Sequence, residues 1–326
     1  MKINLGIIGA GWIADKMAET LTGLGRPDII PYAISSRDPA KAKAFAEHWG
    51  FKKAYGSYEE LVADPEVNLV YIATPHSHHL AHSRLAVEAG KAVLCEKAFT
   101  ANAREAAELL ALAEGRGIFI TEAIWTRYMP LSLKVKEIID SGRLGKPRML
   151  SASLCYAMEN KERIVRPDLC GGALLDLGVY CLNFCRLYFG SDFASTDSSC
   201  VLGESGTDMY ETITLKYKDG RMASLVSAAI GRCNREGLIV CDDGYIVVEN
   251  VNCPEAVKVY QDYRLVEEYY PPKGQVTGYE YQVLACKDAM EKGLLESPFM
   301  PHAETLSIME QMDALRAEWG VRYPMD

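Results

Sequence analysis

The sequence has no excess of basic charge: 35 lysines and arginines face 44 acidic residues, a formal net charge of −9. A general nucleic-acid binder needs a basic face, so no nucleic-acid partner is expected, although one local site for a phosphate-bearing small molecule stays open. Long uninterrupted apolar runs are also missing. Nothing approaches the ~18 residues of a membrane span, and no membrane partner is expected. None of the ten cysteines (95, 155, 170, 181, 185, 200, 233, 241, 253 and 286) forms a C-x-x-C pair. A secretory signal pattern is absent too, because Met1-Lys2-Ile3-Asn4-Leu5 runs straight into an apolar strand. Reduced, mostly buried thiols in a cytoplasmic protein fit this pattern. Internal repeats and low-complexity tracts are lacking as well.

What is present is ordinary globular composition, 49% hydrophobic and 24% charged over 326 residues, enough chain for two domains. Up to about residue 122, short apolar runs alternate with helical patterns, the signature of βαβ units and a parallel sheet. The runs are Ile3–Ile8, Ile29–Ile34, Leu69–Ala73, Ala92–Cys95 and Ile118–Thr121. Helix-like stretches rich in Ala, Leu, Glu and Lys lie at Ala40–Trp49, Ser77–Ala89 and Asn102–Arg116. After Glu122 the texture changes. Helices are expected at Leu131–Ser141 and Gly172–Tyr188, with a long alternating strand at Pro147–Ala157 between them. Strands follow at Ser199–Val201, Thr212–Tyr217, Met222–Ile230, Leu238–Val240, Tyr245–Glu249 and Ala256–Tyr260. Tight turns at Lys218-Asp219-Gly220 and Asp242-Asp243-Gly244 imply antiparallel pairing. Helices near Tyr279–Lys292 and His302–Trp319 close the chain. The expected architecture is α/β: a doubly wound parallel Rossmann domain over 1–122, then an α+β domain with a largely antiparallel open sheet over 123–326. The terminal helix 302–319 is a candidate to pack back toward the first domain.

Ile7-Ile8-Gly9-Ala10-Gly11-Trp12-Ile13-Ala14 follows the first strand and opens a helix, the G-x-G-x-x-A form of the dinucleotide fingerprint. Gly9 allows the tight turn, Gly11 lets backbone amides approach a pyrophosphate, and Ala14 allows close helix packing. Trp12 and Ile13 begin the helix whose positive end faces the phosphates. An NAD site usually places an acid at the end of the second strand, about 20 residues on, to bind the ribose 2′-hydroxyl. Here that place holds Ser35-Ser36-Arg37. Ser36 and Arg37 suit a 2′-phosphate dianion, so NADP(H) is expected, with NAD(H) the alternative. Asp38 reads as the cap of a helix beginning at Pro39.

Four of the six histidines stand in Thr74-Pro75-His76-Ser77-His78-His79-Leu80-Ala81-His82. An H-x-H pair at a strand end, with His78 and His82 at helical i, i+4 spacing, is what a metal-dependent hydrolase shows. Such a site needs further ligands, and only His302 lies C-terminal to the cluster. Residues at the carboxyl end of a strand in a doubly wound sheet are better placed to line a cofactor crevice, and no metal is expected. For His78 and His82 a solvated helix face is the default.

Thr74-Pro75-His76-Ser77-His78-His79 followed by Glu88-Ala89-Gly90-Lys91-Ala92-Val93-Leu94-Cys95-Glu96-Lys97 closely resembles the glucose–fructose oxidoreductase / inositol dehydrogenase / MocA family. Glu122–Pro130, Gly171–Tyr180 and Glu296-Ser297-Pro298 with the terminal helix resemble its branch of dimeric dihydrodiol dehydrogenases and NADP-dependent xylose dehydrogenases. The resemblance covers nearly the whole chain. It implies an NADP cofactor, a substrate pocket between the domains, a sugar or cyclic diol as substrate, and a homodimer or larger assembly. By the same resemblance Lys97 is the cation beside the reacting oxygen and Glu96 lies near the nicotinamide ribose. Thr74, Pro75 and His79 line the cofactor, with Trp125 and Arg127 near its nicotinamide end. The sequence departs from the family pattern at Ala98, where proline usually follows Glu-Lys and where a cis-proline is therefore excluded. Tyr180 stands where many relatives carry histidine, as in the dihydrodiol-type branch.

Alcohol oxidation needs a hydride acceptor, which the cofactor supplies, and a group to take the hydroxyl proton. A phenol, ordinarily titrating near ~10, becomes a usable base when an ammonium stabilises the phenolate, and the same charge stabilises an alkoxide. Lys97 and Tyr180 make such a pair, and Asp176, one helical turn before Tyr180, is expected to orient the substrate or Lys97. Without the family placement, Asp176 and Tyr180 read equally well as a helix N-terminal charge and a half-buried aromatic. Trp125, Leu154 and Tyr279 are candidates for apolar pocket walls, Tyr279 equally for a core residue. The main expectation is an NADP(H)-dependent oxidoreductase acting on a CH–OH or C=O carbon. The alternatives are a catalytically silent NADP-binding regulator and the histidine-cluster hydrolase.

Overall fold

The computed structural model describes residues 1–326. The chain divides into two compact units, one of residues 1–125 with 275–310, the other of 126–274 with 311–326.

The first unit opens with β1 (Ile3–Ile8), α1 (Trp12–Leu24), β2 (Ile29–Ser35), α2 (Pro39–Trp49), β3 (Lys53–Tyr55) and α3 (Tyr58–Ala63). It continues with β4 (Leu69–Ile72), α4 (His79–Glu88), β5 (Ala92–Glu96), α5 (Ala103–Arg116) and β6 (Ile120–Ala123). The six strands are parallel in the order β3-β2-β1-β4-β5-β6. Helices cover a parallel sheet on both faces, and β4, β5 and β6 are accordingly buried along their whole length. The order reverses between β1 and β4, and in such sheets a ligand crevice opens at the carboxyl ends of the strands flanking that point. Asp38 does cap α2, its Oδ1 accepting from Ala40 N at 2.9 Å and Lys41 N at 3.3 Å, with Pro39 in the first turn.

The second unit begins with α6 (Pro130–Asp140), β7 (Pro147–Cys155), α7 (Glu162–Val165) and α8 (Val179–Phe189). Seven strands follow: β8 (Phe193–Leu202), β9 (Asp208–Tyr217), β10 (Met222–Ala228), β11 (Gly237–Cys241), β12 (Gly244–Glu249), β13 (Ala256–Gln261) and β14 (Arg264–Tyr269). They form one eight-stranded sheet, β14-β13-β12-β11-β7-β10-β9-β8. Only β7 and β10 pair in parallel, and both anticipated hairpins are present. Burial alternates along β9 and β10, so one face meets the core while the other stays open.

The last helices are α9 (Glu280–Glu291) and α10 (His302–Trp319). Their segment divides between the units, which corrects the single run 123–326 and moves the boundary from 122/123 to 125/126. Residues 275–310 fold with the first unit through specific bonds. Thr277 Oγ1 lies 2.6 Å from Thr20 Oγ1, His302 Nε2 meets Ile120 O at 2.9 Å, and Thr305 donates to Glu122 Oε2 at 3.3 Å.

Four further differences from the sequence reading have physical causes. Two strands were not foreseen. β3 is three residues long and largely exposed, and β14 is a charged edge strand, so neither shows apolar alternation. β6 starts two residues later than expected because Gly117 N and Ile118 N close α5 by bonding Glu114 O and Ala113 O. The expected helix from Gly172 is entered through a π turn, Leu174–Gly178, before α8 begins. Finally, Pro167–Phe189 is long and apolar enough to cross a membrane, contrary to the first impression of the sequence. Its apolar window is 89% buried within the protein, as a core helix is.

Candidate functional site

The glycine turn follows β1 directly. Gly9 has φ +99°, and a Cβ there would stand 2.7 Å from Ala73 O and 3.0 Å from Thr74 Cγ2. The turn is therefore pressed against the end of β4, and only glycine fits. Gly11 is the opposite case: its backbone is extended (φ −97°), and a Cβ there would meet nothing within 4 Å. Gly11 caps α1 without any side-chain bond, leaving first-turn amides for an outside acceptor. Trp12 is 66% exposed and Ile13 partly exposed beside this open space. A dinucleotide pyrophosphate fits such a cradle: space above Gly11, free helix-end amides and no carboxylate in the turn.

At the end of β2, Ser36 is buried and its Oγ accepts from Asp38 N at 3.2 Å, while Arg37 is exposed. The Tyr58 ring packs edge-on against His82, centroids 4.6 Å apart. His82 Nδ1 in turn lies 3.0 Å from Thr74 Oγ1. Tyr58 does not stand out in the sequence, because its meeting with His82 depends on α3 and α4 lying side by side.

The ends of β4 and β5 hold the rest of the first unit's candidates. His79 is fully buried, with Nδ1 2.8 Å from Ala98 O and Nε2 2.8 Å from Thr74 O; burial pushes its pKa down to about 4. His76 Nε2 lies 3.1 Å from Lys97 O. Two imidazoles thus brace the backbone that carries Lys97, whose side chain is half-buried. The Lys97–Ala98 peptide is cis without a proline. Glu96 is buried and accepts from the Tyr71 hydroxyl, a partner the sequence reading missed. Pro75 is exposed and Thr74 half-buried at the rim of the turn. A metal site built on this cluster needs free ring nitrogens, and those of His79 both face carbonyl oxygens. Trp125 and Tyr279 come together in the first unit. Their rings stack 4.1 Å apart at 8°, each under a tenth exposed.

In the second unit, Asp176 lies in the π turn and is bridged to Arg163 Nη2 at 3.0 Å, so its neighbour is an arginine the sequence reading did not single out. Asp176 lies within the π turn and Tyr180 in the first turn of α8, and both are buried. Arg127 is buried and donates through Nε to Asn183 Oδ1 at 2.6 Å. Leu154 lies on the core face of β7 with no exposed surface.

Beneath the π turn is a buried acid pair that sequence pattern alone did not reveal. Asp208 Oδ2 accepts from Leu174 N at 2.5 Å, and Glu211 Oε1 accepts from Ser227 Oγ. Asp208 Oδ1 and Glu211 Oε2 are buried without a hydrogen-bond partner. Desolvation pushes the Asp208 carboxyl up to about 6, and desolvation followed by the Asp208 charge raises Glu211 well above the usual carboxylate range.

Residues 3–123 match the oxidoreductase family with an NAD-binding Rossmann fold, GFO_IDH_MocA, and residues 132–247 match the GFO/IDH/MocA C-terminal domain. The chain belongs to the GFO/IDH/MocA oxidoreductase family. The trans-1,2-dihydrobenzene-1,2-diol dehydrogenase of Mus musculus is 32% identical over 337 residues, covering 100% of this chain and 99% of that one. The enzyme of the same name from Oryctolagus cuniculus is 34% identical over 330 residues, covering 98% and 99%. Among solved structures, an aldose-aldose oxidoreductase from Caulobacter crescentus complexed with glycerol has a TM-score of 0.88 at 20% identity, covering 98% of each chain. A 3-ketoreductase from Actinomadura kijaniata in complex with NADP and TDP-benzene has a TM-score of 0.86 at 24% identity, covering 97% of this chain and 98% of that one. Family membership and full-length likeness to dehydrogenases make the chain an NAD(P)-dependent oxidoreductase.

Proposed function

We propose that this oxidoreductase uses NADP(H) to move a hydride between the nicotinamide and a CH–OH or C=O carbon of a sugar, sugar derivative or cyclic trans-diol. The observation that carries the cofactor reading is the pairing of an open cradle at Gly11 with Ser36 and Arg37, and no acid before Asp38, at the end of β2. Asp38 caps α2 through its Oδ1. The enzymes that this chain resembles act, by name, on a dihydrodiol or on aldoses, which supports the substrate class.

The bound nicotinamide supplies or accepts the hydride. Gly9, Gly11, Trp12 and Ile13 hold the pyrophosphate turn, Ser36 and Arg37 the 2′-phosphate, and Thr74, Pro75, His76, His79 and Glu96 the cofactor's path along the β4 and β5 ends. The Lys97 ammonium stabilises negative charge on the substrate oxygen, and the Tyr180 phenol carries the proton to or from it. His76 and His79 act through the backbone at 97–98, fixing where the ammonium can reach. Asp176, ion-paired with Arg163, serves the substrate side as an acceptor of fixed orientation. Trp125 with Tyr279 supplies a flat apolar wall for one face of a ring, and Arg127, bonded to Asn183, serves the nicotinamide end of the cofactor.

The ten free cysteines suit a reducing, cytoplasmic setting. A homodimer or larger assembly is proposed through the open face of the second sheet, where Met149, Tyr210, Met222 and Val226 are 57, 40, 43 and 37% exposed. Light scattering on the purified chain tests that. The function itself is tested by following NADP⁺ and NADPH absorbance across aldoses, inositols, anhydro-sugars and trans-diols. Turnover with one of these classes is expected, and inertness across the whole panel with tight NADP binding would favour a silent regulator instead.

A further inference from the structure

The segment that brings Arg163 to Asp176 is built to hold still. Met158 N donates to Ala229 O at 2.9 Å, and Lys161 N and Ile164 N turn the chain into α7 by donating to Met158 O and Lys161 O. Ile164 is fully buried and packs with Ala173 and Ala229, with Met158, Val165 and Met209 around them. Gly171 N donates to Arg166 O at 3.0 Å, and a Cβ on Gly171 would stand 2.4 Å from Ile164 O. The Tyr323 hydroxyl donates to Gly171 O at 2.8 Å. Residues 158–171 are therefore a closed loop, pinned in its middle by Ile164 and at its end by Tyr323.

From this loop Arg163 reaches Asp176 through Nη2 alone, at 3.0 Å, and the same nitrogen lies 3.3 Å from Met158 Sδ. Nε and Nη1 carry no hydrogen bond within the protein, so part of the fork is left for an outside acceptor. The Arg163 side chain is 47% exposed, that of Asp176 8%. An ion pair half open to water adds little to stability. A planar fork fixed through one nitrogen does something else: it aims its remaining donors in a set direction. The pair thus offers an acceptor and donors side by side, with its two charges matched. A hydroxyl group, which donates and accepts at once, is the complement of that arrangement.

We propose that Arg163 is a specificity-determining residue that, with Asp176, reads the hydroxyl on the carbon next to the reacting one. Asp176 accepts from that hydroxyl and Arg163 donates to its oxygen, which leaves the reacting oxygen to Lys97 and Tyr180. The group recognised is a neutral vicinal diol, or an α-hydroxy carbonyl in the reverse direction. The inference rests on Asp176 facing the substrate and names what it faces there. A substrate without the neighbouring hydroxyl leaves both members of the pair unmet, and the site loses hydrogen bonds to two charged groups.

The test pairs substrates that differ by that one hydroxyl: trans-cyclohexane-1,2-diol with cyclohexanol, and an aldose with its 2-deoxy form. Steady-state kcat/KM is measured for each member with the full chain and with R163A, whichever pair the enzyme turns over. The parent should prefer the member carrying the hydroxyl, and R163A should shrink that preference about tenfold or more, the worth of one hydrogen bond to a charged group. NADP⁺ affinity, read by calorimetric titration, should stay close to the parent's. Loss of activity in R163A that is equal for both members of a pair overturns the proposal, because an arginine that only steadies Asp176 or the loop lowers both alike. A parent without preference between the members overturns it too, while leaving the oxidoreductase reading intact. Inertness toward every member of both pairs and the wider panel overturns that reading and the inference with it. Should R163A fold poorly, R163M, which keeps an unbranched stem beside Met158 and removes the fork, decides by the same ratio.

Discussion

Two glycines two residues apart should respond oppositely to the same methyl group. At Gly9 the backbone sits at φ +99°, and an added Cβ meets a carbonyl oxygen at 2.7 Å and a methyl carbon at 3.0 Å, both at the end of β4. Holding an alanine in that region costs about 1–3 kcal/mol before the collision with backbone is counted. For a unit of this size each kcal/mol lowers the melting temperature by roughly 2–4 °C, so Gly9→Ala should melt several degrees early. At Gly11 the backbone is one that alanine adopts freely, and the methyl enters open space. Gly11→Ala should therefore melt within about a degree of the parent without ligand, since surface changes that break nothing stay within roughly ±0.5 kcal/mol. That methyl stands where the pyrophosphate must approach the amides of α1. NADP⁺ affinity should fall about tenfold or more, a loss of at least ~1.4 kcal/mol. Differential scanning fluorimetry without ligand, followed by calorimetric titration, reads both quantities on the same samples. Parental NADP⁺ affinity in Gly11→Ala would refute the placement of the phosphates, and destabilisation equal to that of Gly9→Ala would refute the reading of the turn.

Arg37→Ala should weaken NADP⁺ far more than NAD⁺ in a binding titration; a tenfold preference of the parent for NAD⁺, about 1.4 kcal/mol, would reverse the cofactor assignment. Tyr180→Phe should cut turnover while leaving NADP⁺ affinity nearly unchanged, and unaltered turnover would remove Tyr180 from the chemistry. Glu211→Gln should raise the melting temperature, and by more at pH 8 than at pH 5. The folded chain keeps Glu211 protonated where the unfolded chain ionises, so stability drains as pH rises above the unfolded carboxyl value, at up to ~1.4 kcal/mol per pH unit while that difference persists. A gain that is larger at pH 5 would contradict the direction assigned to that carboxyl.

The features legible in the sequence are those set by neighbours along the chain. Gly9 and Gly11 between an apolar strand and a helix, Asp38 before Pro39, and the alternation of β9 and β10 each depend on a few consecutive residues, and each lies where pattern placed it. The two sheets followed from the same local signals. What escaped depends on packing between distant segments. No periodicity distinguishes the π turn from an α-helical one; the structure makes it beside Asp208, which takes Leu174 N, and beside Glu211, whose Oε1 stands 2.9 Å from where a Cβ on Gly178 would be. Arg163 takes the place beside Asp176 that pattern could not assign. The histidines show both limits at once. Spacing alone suggested metal ligands or a solvated face, whereas tertiary structure turns His79 into a brace for the backbone of Lys97 and sets His82 against Tyr58. Chemistry at the strand ends is therefore decided by which loops the parallel sheet brings side by side, and a sequence motif marks that place without naming the contacts made there.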